Sequence, residues 1–192
     1  IRDSSGGYQN RVTSTKVLRD PNAWYHLVGA VDTTQGTASN RVKMYVNGVQ
    51  VTDFANSSYP SQNFFYEFNS TSYNTYIGKH HDGQYFDGYL TEFNFVDGQQ
   101  YNANHFGFFE SSTGNWVPKS SEVIKANTSY GTNGFYLPFD GTDYIGTDKS
   151  GQNNNFRPNR SSMNAVHDLS KATGGLPIFK TNTGGTQKAS FN

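Results

Sequence analysis

The clearest pattern along the chain is an alternation of side chains with a period of two. It is strongest in AWYHLVGAVD, residues 23–32. This period is that of a β-strand, in which successive side chains point to opposite faces. Both sets of positions are mostly apolar, so we predict a central strand of a sandwich. One set is Trp24, His26, Val28 and Ala30, and the other is Tyr25, Leu27, Gly29 and Val31.

A hairpin is predicted directly after this strand, in RVKMYVNGVQV, residues 41–51. Alternating apolar residues flank the pair Asn47-Gly48 on both sides. Asn and Gly tolerate the positive φ angles that a two-residue type I′ turn requires. The pair therefore predicts where the chain reverses.

Further strands are predicted from short apolar runs that lie between turn-forming residues. Residues 52–72 are rich in Ser and Asn, and we predict a long rim loop there that contains a short strand. YNANHFGFF, residues 101–109, suggests one helical turn, and no helix of core length is predicted. Together these elements predict an all-β, antiparallel β-sandwich. The additional strands are predicted at 64–68, 75–78, 88–96 and 133–139, the last ending near Pro138.

Gly, Asn, Ser and Thr dominate the sequence from Asp140 onward, where only scattered apolar residues could anchor the chain. Such a composition predicts an irregular C-terminal extension that wraps over something else. We therefore predict a sandwich domain at residues 1–139 and an extension at residues 140–192.

Composition narrows the class of partner. Aromatic residues make up 16% of the chain and all hydrophobic residues 33%, which suits an aromatic-rich β core. Fifteen basic residues balance fifteen acidic ones, so a nucleic-acid partner is not expected. No apolar run approaches the roughly 20 residues that span a bilayer, so membrane insertion is not expected. Cys is absent, and the chain begins without Met, which leaves open a fragment of a longer protein.

A line of polar groups in YFDGYLTEFNFVDGQQ, residues 85–100, raises the question of catalysis. Glu92, Asn94 and Asp97 follow the outline E-x-D-x-x-E, by which some β-sandwich glycosidases place their carboxylates. Retaining glycosidases need two carboxyl groups about 5–5.5 Å apart, and here an amide replaces one. Asp97 also precedes Gly98, a pair typical of a turn. We therefore expect a core strand and no enzymatic activity.

Other catalytic arrangements have weaker support. A Ser/His/Asp triad would need a fixed local geometry, and the sequence has neither a G-x-S-x-G elbow nor a Gly-rich phosphate loop. His26 lies on an apolar strand face, where we expect a core histidine with its hydrogen bonds satisfied.

Cofactor binding is not expected, although calcium is a candidate. Asp140, Asp143 and Asp148 supply oxygen ligands in a Gly-rich stretch, but their spacing differs from that of a twelve-residue calcium loop. A solvated turn is the alternative.

Loop residues of the Tyr, His and Asp types are the candidates for ligand binding. Such side chains stack on sugar rings and hydrogen-bond to their hydroxyls at the rims of sandwiches. They could equally be exposed residues without a ligand. The candidates are Tyr59, His80, His81, Asp82 and Tyr85.

Several segments taken in order resemble a known family. RDPNAWYHLVGAVDTTQGTASNRVKMYVNGVQV, YIG and FDGYLTEFNFVDG are similar to laminin-G-like, concanavalin A-like lectin/glucanase sandwich domains, above all those of marine bacteriophage virion proteins. The resemblance covers about residues 17–139 and implies a jelly roll. Few residues precede Trp24, so we expect residues 133–157 to pack on the sandwich or to begin a second module. Packing requires Phe135, Leu137 and Phe139 to contact Phe93 and Phe95.

The resemblance also implies a function. A virion surface protein is expected, a tail-fibre, capsid-fibre or decoration module that attaches to host glycan or cell surface. Its partners would be other virion proteins, and family analogy implies a homotrimer. Two alternatives remain open: a structural protein that stitches neighbouring subunits with its C-terminal tail, and a glycan depolymerase.

Overall fold

The structure is a computed structural model that describes residues 10–66, 75–79, 84–140 and 145–156, together with strands at 169–172 and 186–190. All strand pairs in these residues are antiparallel, and the helices are single short turns, which confirms the predicted all-β class. No helix in the same residues is long and apolar enough to cross a membrane. The strands are β1 Arg11–Ser14, β2 Leu27–Val31, β3 Val42–Val46, β4 Val49–Gln50, β5 Phe54–Ser58, β6 Asp87–Tyr89, β7 Phe93–Phe95, β8 Gly107–Phe109, β9 Trp116–Pro118, β10 Phe135–Leu137, β11 Leu169–Ala172 and β12 Thr186–Ser190, and the helices are α1 Ala38–Arg41, α2 Ala103–Phe106 and α3 Ser121–Ala126.

The chain forms two compact units. The first contains residues 1–66 and 99–127, and the second contains residues 67–98 and 128–192. The division into a sandwich at 1–139 and an extension at 140–192 stays a prediction.

The predicted hairpin is present in the first unit. Strands β3 and β4 pair with Val46 opposite Val49, and β2 pairs with β3 on the other side. Asn47 and Gly48 have φ angles of 48° and 80°, as a type I′ turn requires. The turn prediction is confirmed.

Strand β2 is shorter and more exposed than the prediction of a central strand implied. It begins at Leu27, and Ala30 is buried while Leu27 is 61% exposed. Trp24 precedes the strand and is half-buried. The alternation was therefore predicted correctly, but the prediction of two buried faces was wrong, because the face that carries Leu27, Gly29 and Val31 is exposed. In the described chain β2 pairs with β3 alone, so it is also an edge strand.

A strand also forms where a loop was predicted. Strand β5, FANSS, pairs with β1, and most of its side chains are exposed. Its polar sequence carries little strand signal, so its distant partner decides its conformation. Residues 64–66 of the strand predicted at 64–68 are not extended into a strand, and residues 67 and 68 lie outside the described chain.

Trp116 packs the hairpin of β8 and β9 against the turn between β3 and β4. A Cβ atom added to Gly48 would lie 2.1 Å from its ring, and one added to Gly107 would lie 2.5 Å from it. Phe109 meets the same ring edge-on, with 5.0 Å between ring centroids. Trp116 therefore occupies space that two glycines leave open.

The second unit has its core at β7 and β10. Phe135 and Leu137 are buried, and Phe135 stacks on Phe93 and Phe95 with centroid distances of 5.8 and 5.2 Å. The expected contact is confirmed for Phe135, and Leu137 pairs with Phe93 across the two strands. Strand β10 ends at Leu137, directly before Pro138, as predicted.

The strand predicted at 88–96 is divided into β6 and β7. Glu92, between them, has a φ of 55°, a left-handed conformation that interrupts an extended strand. The strand predicted at 75–78 is absent, and an isolated bridge joins Lys79 to Tyr85 instead. Strands β11 and β12 lie in the predicted extension, and β12 pairs with β11 on one side and with β6 on the other.

Candidate functional site

The polar groups of Glu92, Asn94 and Asp97 accept hydrogen bonds from strand β10 and from the residues directly before it. The Tyr136 hydroxyl donates to Glu92 Oε2 at 2.6 Å, and the Tyr130 hydroxyl donates to Asn94 Oδ1 at 2.6 Å. Asp97 Oδ2 accepts from the backbone N and the Nδ2 of Asn133, at 3.2 and 2.9 Å. The three groups, in β7 and directly beside it, are therefore hydrogen-bonded to residues 130–136.

This arrangement differs from that of a carboxylate pair built to cleave a glycosidic bond. Burial raises the pKa of Tyr130, and the charges of Asp148 and Glu92 raise it further, so its phenol stays protonated and donates at neutral pH. Its acceptor is the amide of Asn94, which cannot ionise. The geometry supports a structural role for the line.

Asp148, one of the calcium candidates, organises a turn. Its Oδ1 accepts from the backbone N of Tyr136 and of Ser150, at 2.9 and 2.8 Å. Its Oδ2 accepts from Ser150 Oγ and from the backbone N of Asn154, both at 2.9 Å. Burial raises the pKa of Asp148, but these hydrogen bonds outweigh burial and hold the pKa below its ordinary value. The carboxylate is ionised and already has four donors.

Among the described residues, no cluster of metal ligands forms around Asp148. Asp140 is half-buried beyond β10, and Asp143 lies outside the described residues. Across the part of the chain that the structure describes, no three His, Cys, Asp or Glu side chains form a group that could hold a metal ion. Calcium at Asp140, Asp143 and Asp148 stays a prediction.

Of the predicted ligand-binding residues, Tyr85 is exposed and is joined to Lys79 by an isolated antiparallel bridge. The backbone N of Phe86 donates to Gly78 O at 2.8 Å, and Lys79 Nζ lies 5.1 Å from the Tyr76 ring centroid and 5.5 Å from that of Tyr85. His80, His81 and Asp82 lie outside the described residues. Tyr59 is half-buried in the first unit, directly before the buried Pro60.

A cleft in the first unit, which we call the Tyr101 cleft, was not predicted from the sequence. Its volume is about 470 Å³, within the range of small-ligand sites. The rings of Tyr101 and His105 stack inside it, with centroids 3.7 Å apart and planes inclined by 12°. The lining residues are Gln100, Tyr101, Asn102, Asn104, His105, Lys119, Val123 and Asn127.

Helix α2 and its cap position one side of the cleft. Asn102 caps the helix, since its Oδ1 accepts from Asn104 N at 3.0 Å. Tyr101 precedes this cap, whose backbone is extended, and its ring lies against that of His105 in α2. The helical turn predicted within 101–109 is thus present as α2, and its Asn cap was the available sequence signal for this side of the cleft.

Segments later in the chain supply the other side. Lys119 Nζ donates to Asn104 O at 2.6 Å, and Asn127 Nδ2 donates to Val123 O at 2.8 Å. Burial lowers the pKa of His105, and the charge of Lys119 lowers it further. His105 is therefore neutral at pH 7, where one of its ring nitrogens can accept a hydrogen bond.

His26 differs from the expectation of a satisfied core histidine. Its ring lies 5.6 Å from that of Trp116, and among the described residues neither His26 Nδ1 nor Trp116 Nε1 has a hydrogen-bond partner, although both atoms are buried. Burial lowers the pKa of His26, so the neutral ring is favoured. The expectation of satisfied hydrogen bonds was wrong.

Comparison with known proteins places this chain in a family. The family model described as concanavalin A-like lectin/glucanases superfamily matches residues 1–105, and the chain belongs to this superfamily. The antiparallel all-β fold agrees with its β-sandwich class. No curated protein and no solved structure matches the chain.

Proposed function

We propose that this chain is a non-enzymatic glycan-binding module that uses the Tyr101 cleft. Its superfamily includes lectins, and the cleft carries the observation on which the proposal rests: stacked aromatic rings surrounded by amide side chains. Sugar rings present apolar faces that pack on aromatic rings, and amides can donate to and accept from hydroxyl groups. The Tyr101 cleft combines both properties.

Hydrolysis has less support than binding. A glycosidase requires two carboxyl groups at the scissile bond, and the residues that line the cleft include no Asp or Glu. The carboxylates of Glu92 and Asp97 accept hydrogen bonds from Tyr136 and Asn133. A glycan depolymerase therefore remains the less favoured alternative.

The proposed setting is the surface of a phage virion, where the module would attach the particle to host glycan. This part is supported by the resemblance of the segments from RDPNAWYHLVGAVD to FDGYLTEFNFVDG. Other virion proteins and further copies of the chain, as a trimer, are the proposed partners. A structural role, in which residues 140–192 stitch subunits together, is the competing proposal.

Substitution of Tyr101 tests the binding function. Tyr101→Ala removes half of the stacked pair, so we expect at least about a tenfold loss of affinity, the effect of about 1.4 kcal/mol. Ligands would be found on a glycan array and affinities measured by calorimetry. Phe65→Ala is the matched control, because Phe65 is 82% exposed in the same unit and does not line the cleft. Equal affinities of the two variants, or no glycan bound by the wild type, would refute the proposal.

A further inference from the structure

Lys119 is held in place at the Tyr101 cleft by two hydrogen bonds. Its backbone N donates to Phe106 O at 2.9 Å, and its Nζ donates to Asn104 O at 2.6 Å. An ammonium group has three N–H donors, and the Asn104 carbonyl accepts one of them. Lys119 is half-buried, so its charge is screened less than that of an exposed lysine.

The charges around the cleft are unbalanced. Lys119 is the charged side chain among the lining residues, and no carboxylate lines the cleft with it. Glu122 of α3 is the closest acidic residue in sequence, but Val123 and Asn127, four residues apart, share the face that lines the cleft. Glu122 is about 100° around the helix from Val123 and does not line the cleft.

The positive charge reaches the aromatic pair. Two causes lower the pKa of His105: burial of its ring, which is the larger, and the positive charge of Lys119. The other groups that pack on the His105 ring, Tyr101 and Phe106, are aromatic and carry no positive charge. A negatively charged ligand group beside Lys119 would offset its effect on His105.

We propose that the Tyr101 cleft selects an acidic sugar, whose carboxylate or sulfate group binds the Lys119 ammonium while its ring packs on the Tyr101–His105 pair. This inference rests on the proposed glycan-binding function and names its ligand class. Charge-assisted hydrogen bonds are stronger than neutral ones. Sugar hydroxyls can bind the Asn104 amide, and the Oδ1 and second Nδ2 hydrogen of Asn127, whose other Nδ2 hydrogen is donated to Val123 O.

Three probes of equal length test the selection: a neutral oligogalactoside, an oligogalacturonate and a sulfated oligogalactoside. Calorimetry on the full chain should show at least one acidic probe binding about tenfold or more tightly than the neutral one. This preference should decrease as salt is raised, because ions screen the contact. The two acidic probes distinguish a carboxylate site from a sulfate site.

Lys119→Gln removes the charge and retains an amide donor for the Asn104 carbonyl. We expect it to lower affinity for the acidic probe about tenfold and to change affinity for the neutral probe less than about twofold. Lys119→Arg keeps a positive charge and should retain the acidic preference. Lys125→Gln on α3 is the matched control, because Lys125 does not line the cleft, and it should leave both affinities unchanged.

A second readout follows the His105 ring by NMR. Acidic probe added to the wild type should raise the pKa of His105, and Lys119→Gln alone should also raise it, because both remove the effect of the lysine charge. An unchanged His105 titration in both experiments would overturn the inference. Equal binding of acidic and neutral probes that still depends on Tyr101 would overturn it as well, and would leave the glycan-binding function standing. Binding of no probe, with no hit on the glycan array, would refute the function itself.

Discussion

The buried carboxylate of Asp148 joins the turn at residues 148–154 to strand β10. It is 7% exposed, and it accepts hydrogen bonds from the backbone of Tyr136, from Ser150 and from Asn154. A charged group is buried at low cost only when such donors replace water. Asp148 thus belongs to the framework of the second unit.

Replacement of Asp148 should destabilise the protein. Asp148→Ala leaves the backbone N–H of the buried Tyr136 and of the half-buried Asn154 without this acceptor. We expect a loss of about 3 kcal/mol in the free energy of unfolding, measured in urea. Asp53→Ala is the control, since Asp53 is exposed, and it should change stability by less than about 0.5 kcal/mol. A loss below about 1 kcal/mol for Asp148→Ala would contradict this role.

The same carboxylate should contribute to acid unfolding. The pKa of Asp148 is lower in the folded protein than its ordinary value of 3.8, so its stabilisation is complete above that pH. It is lost as pH falls through the lower, folded-state pKa. Asp148→Ala should therefore show a smaller loss of stability between pH 5 and acid than the wild type does.

Single residues also show what sequence can reveal about a site. Tyr85, a predicted ligand-binding residue, is exposed beside Lys79 as a loop residue should be. Tyr101 and Lys119 were not predicted to form a site, because 18 positions separate 101 from 119 and only folding joins them at one cleft. Local residue type therefore indicated exposure, whereas the cleft depends on tertiary contacts.

Among the elements, the β3–β4 hairpin combines a local and a distant requirement. Asn47-Gly48 determines the turn locally, because both residues take positive φ. The ring of Trp116 then packs against Gly48 from a segment far along the chain. Sequence predicted the turn and could not predict its packing partner.

Gly48→Ala should reveal both requirements. Left-handed strain costs about 1–2 kcal/mol for a residue with a Cβ, and overpacking against Trp116 adds about 1–3 kcal/mol. We therefore expect a loss of about 3 kcal/mol in unfolding free energy. Gly114→Ala is the matched control: its φ is 68° and nothing lies within 4 Å of an added Cβ, so about 1 kcal/mol of strain is expected. Equal losses in the two variants would contradict the packing by Trp116.

Strands were predicted correctly where their residues are mostly apolar. They were missed where a polar segment is extended only because it pairs with another strand. Strands β3 and β10 contain mostly apolar residues and lie where predicted. Strand β5 is polar and was predicted as loop, because β1 supplies its hydrogen bonds. The division of β6 from β7 at Glu92 depends on a backbone angle that residue type does not disclose.

For the whole molecule, the proposals of attachment and of stitching predict different behaviour on the particle. Under attachment, the purified chain should compete with phage adsorption to the host, because it occupies the same surface glycan. Tyr101→Ala should compete about tenfold less well, in parallel with its glycan affinity. Adsorption would be measured by counting unbound infectious particles.

The controls for this experiment separate the two roles. Phe65→Ala should compete as the wild type does. A stitching protein would not compete, and antibodies against residues 140–192 would fail to label intact particles, because that segment would be buried against neighbouring subunits. This pair of results would refute attachment.

The sequence alone determined the all-β class, the hairpin at Asn47-Gly48 and the family resemblance, because these depend on local periodicity, turn chemistry and motif order. Only the tertiary structure decided which strands pair, which polar groups serve as cross-links and where a cleft opens. In the sequence, the spacing of Glu92, Asn94 and Asp97 raised the question of catalysis. The structure shows that they accept hydrogen bonds from Tyr136, Tyr130 and Asn133, partners that the sequence did not indicate. Such long-range contacts depend on the packing of the whole chain, which overrides local residue preferences, so the spacing of residues in the sequence does not specify them.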